Sequence, residues 1–200
     1  MLNLKYVLPD VPCASPEQIT ILGIDPGSSN QGIACIRFNK VTQRIRVLAN
    51  ATMTFPLNVM KGKEYQERLH LCLAEIDHWY RHFGVNVVVA ERFQSRGLKG
   101  ATIECVSSML GAMAITYPIV RVIPASQWKN AYQRLYEIDL KDMYKVVRTV
   151  PHQLDATLIA RHGAVMGSGN KEIPSDPERL IDKVNGCSLH KLVNRKRKEL

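Results

Sequence analysis

The chain has 200 residues, room for one domain with a full hydrophobic core and short appendages. Its 27 Lys and Arg against 18 Asp and Glu give a net charge of +9 and a pI near 9.4. That balance favours a polyanionic partner such as nucleic acid over a small neutral substrate. Five cysteines (Cys13, Cys35, Cys72, Cys105, Cys187) show no CxxC pair and no Cys/His cluster at zinc spacing, so they read as reduced thiols. No apolar run approaches the roughly 20 residues of a membrane span, and the start lacks a signal peptide's order of charge then apolar core. A cytoplasmic or nucleoid location is expected.

Residues 1–18 bear three prolines and read as an arm outside the core. Residues 19–25 are apolar and β-branched and break at Pro26-Gly27, as a buried strand ending in a tight turn does. Strands over 32–38 and 44–53 follow at short intervals, which predicts an antiparallel meander. Over 63–83, Leu69, Cys72, Leu73, Ile76, Tyr80 and Phe83 recur at helical spacing, with Glu64, Glu67, Arg68 and Glu75 expected on the wet face. Residues 85–90, apolar except for Asn86, form a run closed by Glu91, the pattern of a central parallel strand.

A helix is predicted over 102–115, with Ile103, Val106, Leu110 and Met113 as its apolar stripe and small residues keeping it slim. A last strand covers 119–123 and stops at Pro124; the rest to Val165 reads as mainly helical, with Pro151 at a helix start. The expected fold class is α/β: a mixed five-stranded sheet, three strands in an antiparallel meander plus parallel strands, flanked by helices. Its domain would span 19–166, followed by a basic extension over 167–200 that ends in Arg195-Lys196-Arg197-Lys198.

Three carboxylates lie where elements begin or end: Asp25, Glu91 and Asp155. Taken singly, Asp25 reads as a turn residue satisfying backbone N–H groups. Glu91 reads equally as a partner of Arg92 or Arg96, and His152 and Asp155 read as first-turn residues sharing one helix face. Taken together, carboxylates at the C-terminal ends of neighbouring strands repel one another unless a cation lies between them, and oxygen ligation suits Mg²⁺ or Mn²⁺.

The segment Ile21-Leu22-Gly23-Ile24-Asp25-Pro26-Gly27-Ser28, followed by Gly32-Ile33-Ala34, closely resembles the opening hairpin of RuvC-type Holliday junction resolvases, members of the RNase H-like superfamily. Val87-Val88-Val89-Ala90-Glu91 resembles that family's second acidic strand. Val122-Ile123-Pro124-Ala125-Ser126-Gln127-Trp128-Lys129 resembles its late strand and following lysine, and His152-Gln153-Leu154-Asp155-Ala156 its final helix. The resemblance covers about 19–165, and the long tail and divergent middle fit a viral or otherwise divergent member.

It implies an RNase H-like fold and a Mg²⁺-dependent endonuclease, Mn²⁺ substituting, that resolves four-way DNA junctions by two-metal hydrolysis with paired symmetric nicks. Asp25, Glu91, His152 and Asp155 then take the metal-binding places, His152 as ligand or general base. Lys129 lies near the scissile phosphate, with Lys141 or Lys145 after it. Arg92, Phe93, Arg96 and Lys99 occupy the loop that meets the junction, Phe93 as an aromatic wedge or else a core residue closing the sheet. The family works as a two-fold homodimer, for which helix 102–115 is the expected interface. The alternatives are another RNase H-like nuclease acting on flaps, branched DNA or RNA:DNA hybrid, and an actin-like nucleotide-binding relative. The last is disfavoured by the lack of a second Asp-x-Gly hairpin.

Overall fold

The computed structural model describes residues 8–27, 29–54, 65–92, 101–136, 139, 141–142, 144 and 151–167. Its strands are β1 (Gln18–Asp25), β2 (Asn30–Asn39), β3 (Ile45–Thr54), β4 (Val87–Arg92) and β5 (Val120–Pro124). Its helices are α1 (Tyr65–Phe83), α2 (Ala101–Thr116), α3 (Ala125–Tyr136) and α4 (Pro151–Gly167). The five strands form one sheet in the order β3-β2-β1-β4-β5. β2 is antiparallel to β1 and β3, whereas β4 runs parallel to β1 and β5. The predicted meander and central parallel strand are both present. Among the described residues no helix is long and apolar enough to cross a membrane.

Alternation along the strands separates two apolar layers. Ile21, Val87 and Val89 join Leu154, Leu158 and Ile159 of α4 and Trp128 and Tyr132 of α3 on one face. Leu22, Ile24, Val88 and Ala90 join α1 and α2 on the other. β4 is therefore covered on both faces, which explains why its sequence is apolar without a break. By the same alternation Asp25 and Glu91 emerge on the α4 side, beyond the last buried apolar residue of each strand.

Three expectations need correction. Glu75 is not on a wet face: it is 4% exposed, and its Oε1 accepts a 2.9 Å hydrogen bond from the indole of Trp79. The one-turn spacing pairs the two polar groups, which lets Trp79 enter the core although the predicted stripe omitted it. On α2 the buried stripe is Cys105, Val106, Met109 and Met113, with Leu110 only partly buried. The arm is not wholly outside the core either. Leu8 and Val11 pack against the α1 and α2 layer, and Arg37 Nη1 donates to Pro12 O at 2.6 Å. Cys13, Cys35, Cys72 and Cys105 are free thiols; Cys187 and the stretch 168–200 lie outside the described residues.

α4 is seated directly on bare backbone. A Cβ at Gly23 would collide with the Ala156 carbonyl oxygen and lie 2.7 Å from Ala160 Cβ. A Cβ at Gly32 would collide with the His152 carbonyl oxygen. Hydrogen at these two strand positions is what allows the helix to approach closely. Gly23→Ala should lower the unfolding free energy by about 1–3 kcal/mol through overpacking, read as a reduced denaturation midpoint at constant m-value. An unmoved midpoint would show that α4 does not rest there.

His162 of α4 is buried and, among the described residues, neither ring nitrogen has a hydrogen-bond partner. Burial, with the Arg161 charge adding to it, lowers its pKa from 6.5 to about 4. Between those values the unfolded chain binds a proton that the folded chain refuses. This contribution to stability is therefore complete above 6.5 and is lost as pH falls toward 4. His162→Leu should shrink the stability difference between about pH 7 and about pH 5, measured by urea unfolding; an unchanged difference would remove His162 as the cause.

Candidate active site

Two strand ends and two helix starts build one acidic cluster. β1 delivers Asp25 and the neighbouring parallel strand β4 delivers Glu91. α3, which starts directly after β5, delivers Lys129 in its second turn, and the first two turns of α4 deliver His152 and Asp155. Gly32 pairs with Asp25 across the hairpin, and its missing side chain leaves room for the start of α4.

His152 Nδ1 lies 2.6 Å from Asp25 Oδ2. Lys129 Nζ lies 3.6 Å from Glu91 Oε2 and 4.0 Å from Asp155 Oδ2, so one ammonium stands between two carboxylates. The remaining partners are aromatic. Trp128 Nε1 donates to Glu91 Oε2 at 2.9 Å, and the Tyr144 hydroxyl donates to Asp155 Oδ1 at 2.5 Å.

The electrostatics follow from burial and crowding. Desolvation is the main force raising the Asp155 pKa from 3.8 to about 7. Asp25 and Glu91 push it the same way, while Tyr144 and Lys129 oppose. Glu91 is also raised, first by burial and then by Asp25, against the pull of Lys129 and the Trp128 hydrogen bond. The hydrogen bond to Asp25 raises His152, partly offset by burial. Three carboxylates thus share a half-dry site, with the His152 ring beside Asp25 and one ammonium between Glu91 and Asp155.

The donor set fits a divalent, oxygen-seeking cation in kind, because such an ion would relieve the repulsion that raises Glu91 and Asp155. Among the described residues no three His, Cys, Asp or Glu side chains are drawn together closely enough to hold an ion as they stand. Asp25, Glu91 and Asp155 are instead engaged by His152, Trp128, Lys129 and Tyr144.

Of the residues expected from sequence, Asp25, Glu91, Lys129, His152 and Asp155 meet here. Arg92 is exposed at the end of β4, one residue beyond Glu91, and Lys141 is exposed on the segment between α3 and α4. Phe93, Arg96, Lys99 and Lys145 lie outside the described residues. Sequence reasoning assigned no role to Trp128 or Tyr144. A usable signal existed for Trp128: an indole on the inner face of a helix needs an acceptor, and Glu91 is the polar group at the edge of that layer. Tyr144 carried none, since it falls in a stretch readable only as helical.

The sequence pattern of the family described as Crossover junction endodeoxyribonuclease RuvC matches residues 21–128, more than half of the 200 residues. The matched span contains Asp25 and Glu91; Lys129, His152 and Asp155 follow it. No match was found among curated proteins. Among solved structures, the Thermus thermophilus RuvC structure is similar at 22% identity with a TM-score of 0.57, covering 75% of this chain and 98% of that one. T. thermophilus RuvC in complex with Holliday junction substrate is similar at 20% identity with a TM-score of 0.56, at the same coverages of 75% and 98%. At these identities the likeness is one of fold, and it agrees with the mixed sheet flanked by helices expected from sequence. The chain belongs to the crossover junction endodeoxyribonuclease RuvC family.

Proposed function

We propose that this chain is a structure-selective endonuclease that resolves four-way DNA junctions, its domain spanning 19–166 and its chemistry carried by Asp25, Glu91, His152, Asp155 and Lys129. The observation that carries the reading is the meeting of three mutually repelling carboxylates with one lysine at the C-terminal ends of two parallel strands, in a chain of this family. A solved relative of the same fold is described in complex with Holliday junction substrate, and the excess of 27 basic over 18 acidic residues suits a phosphate backbone.

Asp25, Glu91 and Asp155 would hold Mg²⁺, with Mn²⁺ as a substitute and His152 as a further ligand or a base. When bound, the ions supply charge neutralisation, a more acidic water and stabilisation of the leaving oxygen. The protein's own groups do the rest. Asp25 fixes one nitrogen of His152 and raises the basicity of the ring, which suits Nε2 to accept a proton from the attacking water. Lys129 brings its ammonium to stabilise charge developing on the phosphate. Arg92, Phe93, Arg96 and Lys99 would engage the junction, and Lys141 and Lys145 would add phosphate contacts.

Two symmetric nicks require two sites, so the working unit is a homodimer. The interface proposed is α2, over residues 102–115, whose outer face presents Ser107, Gly111, Ala114 and Ile115, the last 90% exposed. Ile115→Lys should convert the dimer to monomer in sedimentation velocity. A variant that stays dimeric would move the interface elsewhere, and a monomeric wild type would overturn the homodimer.

The activity is tested with a four-way junction, a flap, a plain duplex and an RNA:DNA hybrid, each with Mg²⁺ or EDTA. Paired symmetric nicks in the junction are expected with Mg²⁺ and none with EDTA. Asp25→Asn should reduce cutting by at least about a hundredfold while junction binding persists in a gel-shift assay. Cleavage of hybrid without cleavage of junctions would overturn the resolvase reading. Failure to cut any substrate with Mg²⁺ or Mn²⁺ would overturn the nuclease reading too.

A further inference from the structure

Glu91 and Asp155 both lie beside the Lys129 ammonium, and each accepts a hydrogen bond from a neutral aromatic donor. Trp128 is fully buried, packed in the α4-side layer with Tyr132, whose ring centroid lies 6.4 Å away. Its Nε1 reaches outward from that layer to Glu91 Oε2 at 2.9 Å. Tyr144 leans its ring on the same apolar layer and extends its hydroxyl to Asp155 Oδ1 at 2.5 Å. Both donors are thus anchored by packing at one end and aimed at a carboxylate oxygen at the other. We propose that Trp128 and Tyr144 are positioning residues that clamp Glu91 and Asp155 by one oxygen each, so that both carboxylates are oriented for a divalent cation before it arrives; this rests on the reading of Glu91 and Asp155 as ligands.

The physical case lies in the difference between these donors and Lys129. The ammonium stands beside Glu91 Oε2 and Asp155 Oδ2 and carries a full positive charge, so it competes with an incoming cation for the same electrostatic stabilisation. An indole N–H and a phenol O–H carry no net charge and can remain bonded to one lone pair while another coordinates. Hydrogen bonds of this kind from outside the ligand set fix the orientation of the ligands themselves. Asp25 has a different arrangement, because its partner is His152, itself a candidate ligand. The clamp therefore serves the two carboxylates that, among the described residues, make no hydrogen bond to an imidazole. The competing account is that the bond from Trp128 only satisfies a buried indole. That account predicts a stability effect and no effect on metal binding, and it says nothing of the half-buried Tyr144.

The test is calorimetric titration of Mn²⁺ into the DNA-free, full-length protein, with thermal melting alongside. Tyr144→Phe deletes only the hydroxyl, and Trp128→Phe removes the indole donor while keeping an aromatic ring. Each should weaken Mn²⁺ binding by about ten- to a hundredfold with Tyr144→Phe melting within a few degrees of wild type. Junction cutting by Tyr144→Phe should be lost at low Mg²⁺ and recovered at high Mg²⁺. Wild-type Mn²⁺ affinity and wild-type metal dependence in Tyr144→Phe would overturn the clamp, and this variant decides the matter where Trp128→Phe fails to fold. Glu91→Gln separates the two levels of the argument. Unchanged Mn²⁺ affinity in that variant would overturn the ligand reading, whereas weakened binding there with none in Tyr144→Phe would overturn the clamp alone.

Discussion

The approach of α4 to the bare backbone at Gly23 and Gly32 governs the rest of the molecule. β1 and β2 are the strands that α4 crosses, and at both glycines a methyl group would collide with a carbonyl oxygen of the helix. With the helix at this depth, its N-terminal end sets His152 against Asp25 and brings Asp155 within reach of Lys129. A shallower seat would leave the apolar layer of Leu154, Leu158 and Ile159 partly filled and would separate the acids of the helix from those of the sheet. Packing and chemistry are therefore one constraint here, imposed by two residues whose only contribution is the absence of a side chain.

The second organising fact is that the acids are placed at a cost. Burial and mutual repulsion raise Glu91 and Asp155, and the opposing interactions are one ammonium and two neutral hydrogen bonds. A cluster meant only for stability would pair each carboxylate with its own cation. Here one lysine serves two carboxylates at 3.6 and 4.0 Å, distances that leave the charge incompletely compensated. Residual repulsion of this sort is what binding of an added cation relieves.

Much of this was legible in the sequence for identifiable reasons. Strand β4 announced itself because burial on both faces leaves no polar residue to interrupt the run, and Glu91 marked its end. Asp25 was visible because a β-branched run collides with Pro26-Gly27, and Pro151 marked the start of α4. What escaped depended on contacts across the fold. Glu75 looked like a wet-face acid because the predicted stripe left out Trp79, three residues after Ile76 and four before Phe83, whose indole is the partner that takes Glu75 inward. Tyr144 was invisible because nothing in its neighbourhood in the chain reveals that Asp155 lies beside it. Periodicity reports which face is apolar; it does not report which polar groups cross from one element to another.

The order of the elements has a consequence for how the protein is made. The strands that carry Asp25 and Glu91 precede the rest of the site in the chain, with Lys129 following and His152 and Asp155 last. Chains leave the ribosome from the N-terminus and begin to fold as they emerge. A nascent chain that has reached Pro124 holds both strand-end acids yet lacks the lysine, the imidazole and the helix that complete the cluster. The cluster is thereby completed only once α4 has been synthesised and has docked, so that an unfinished copy carries half of it.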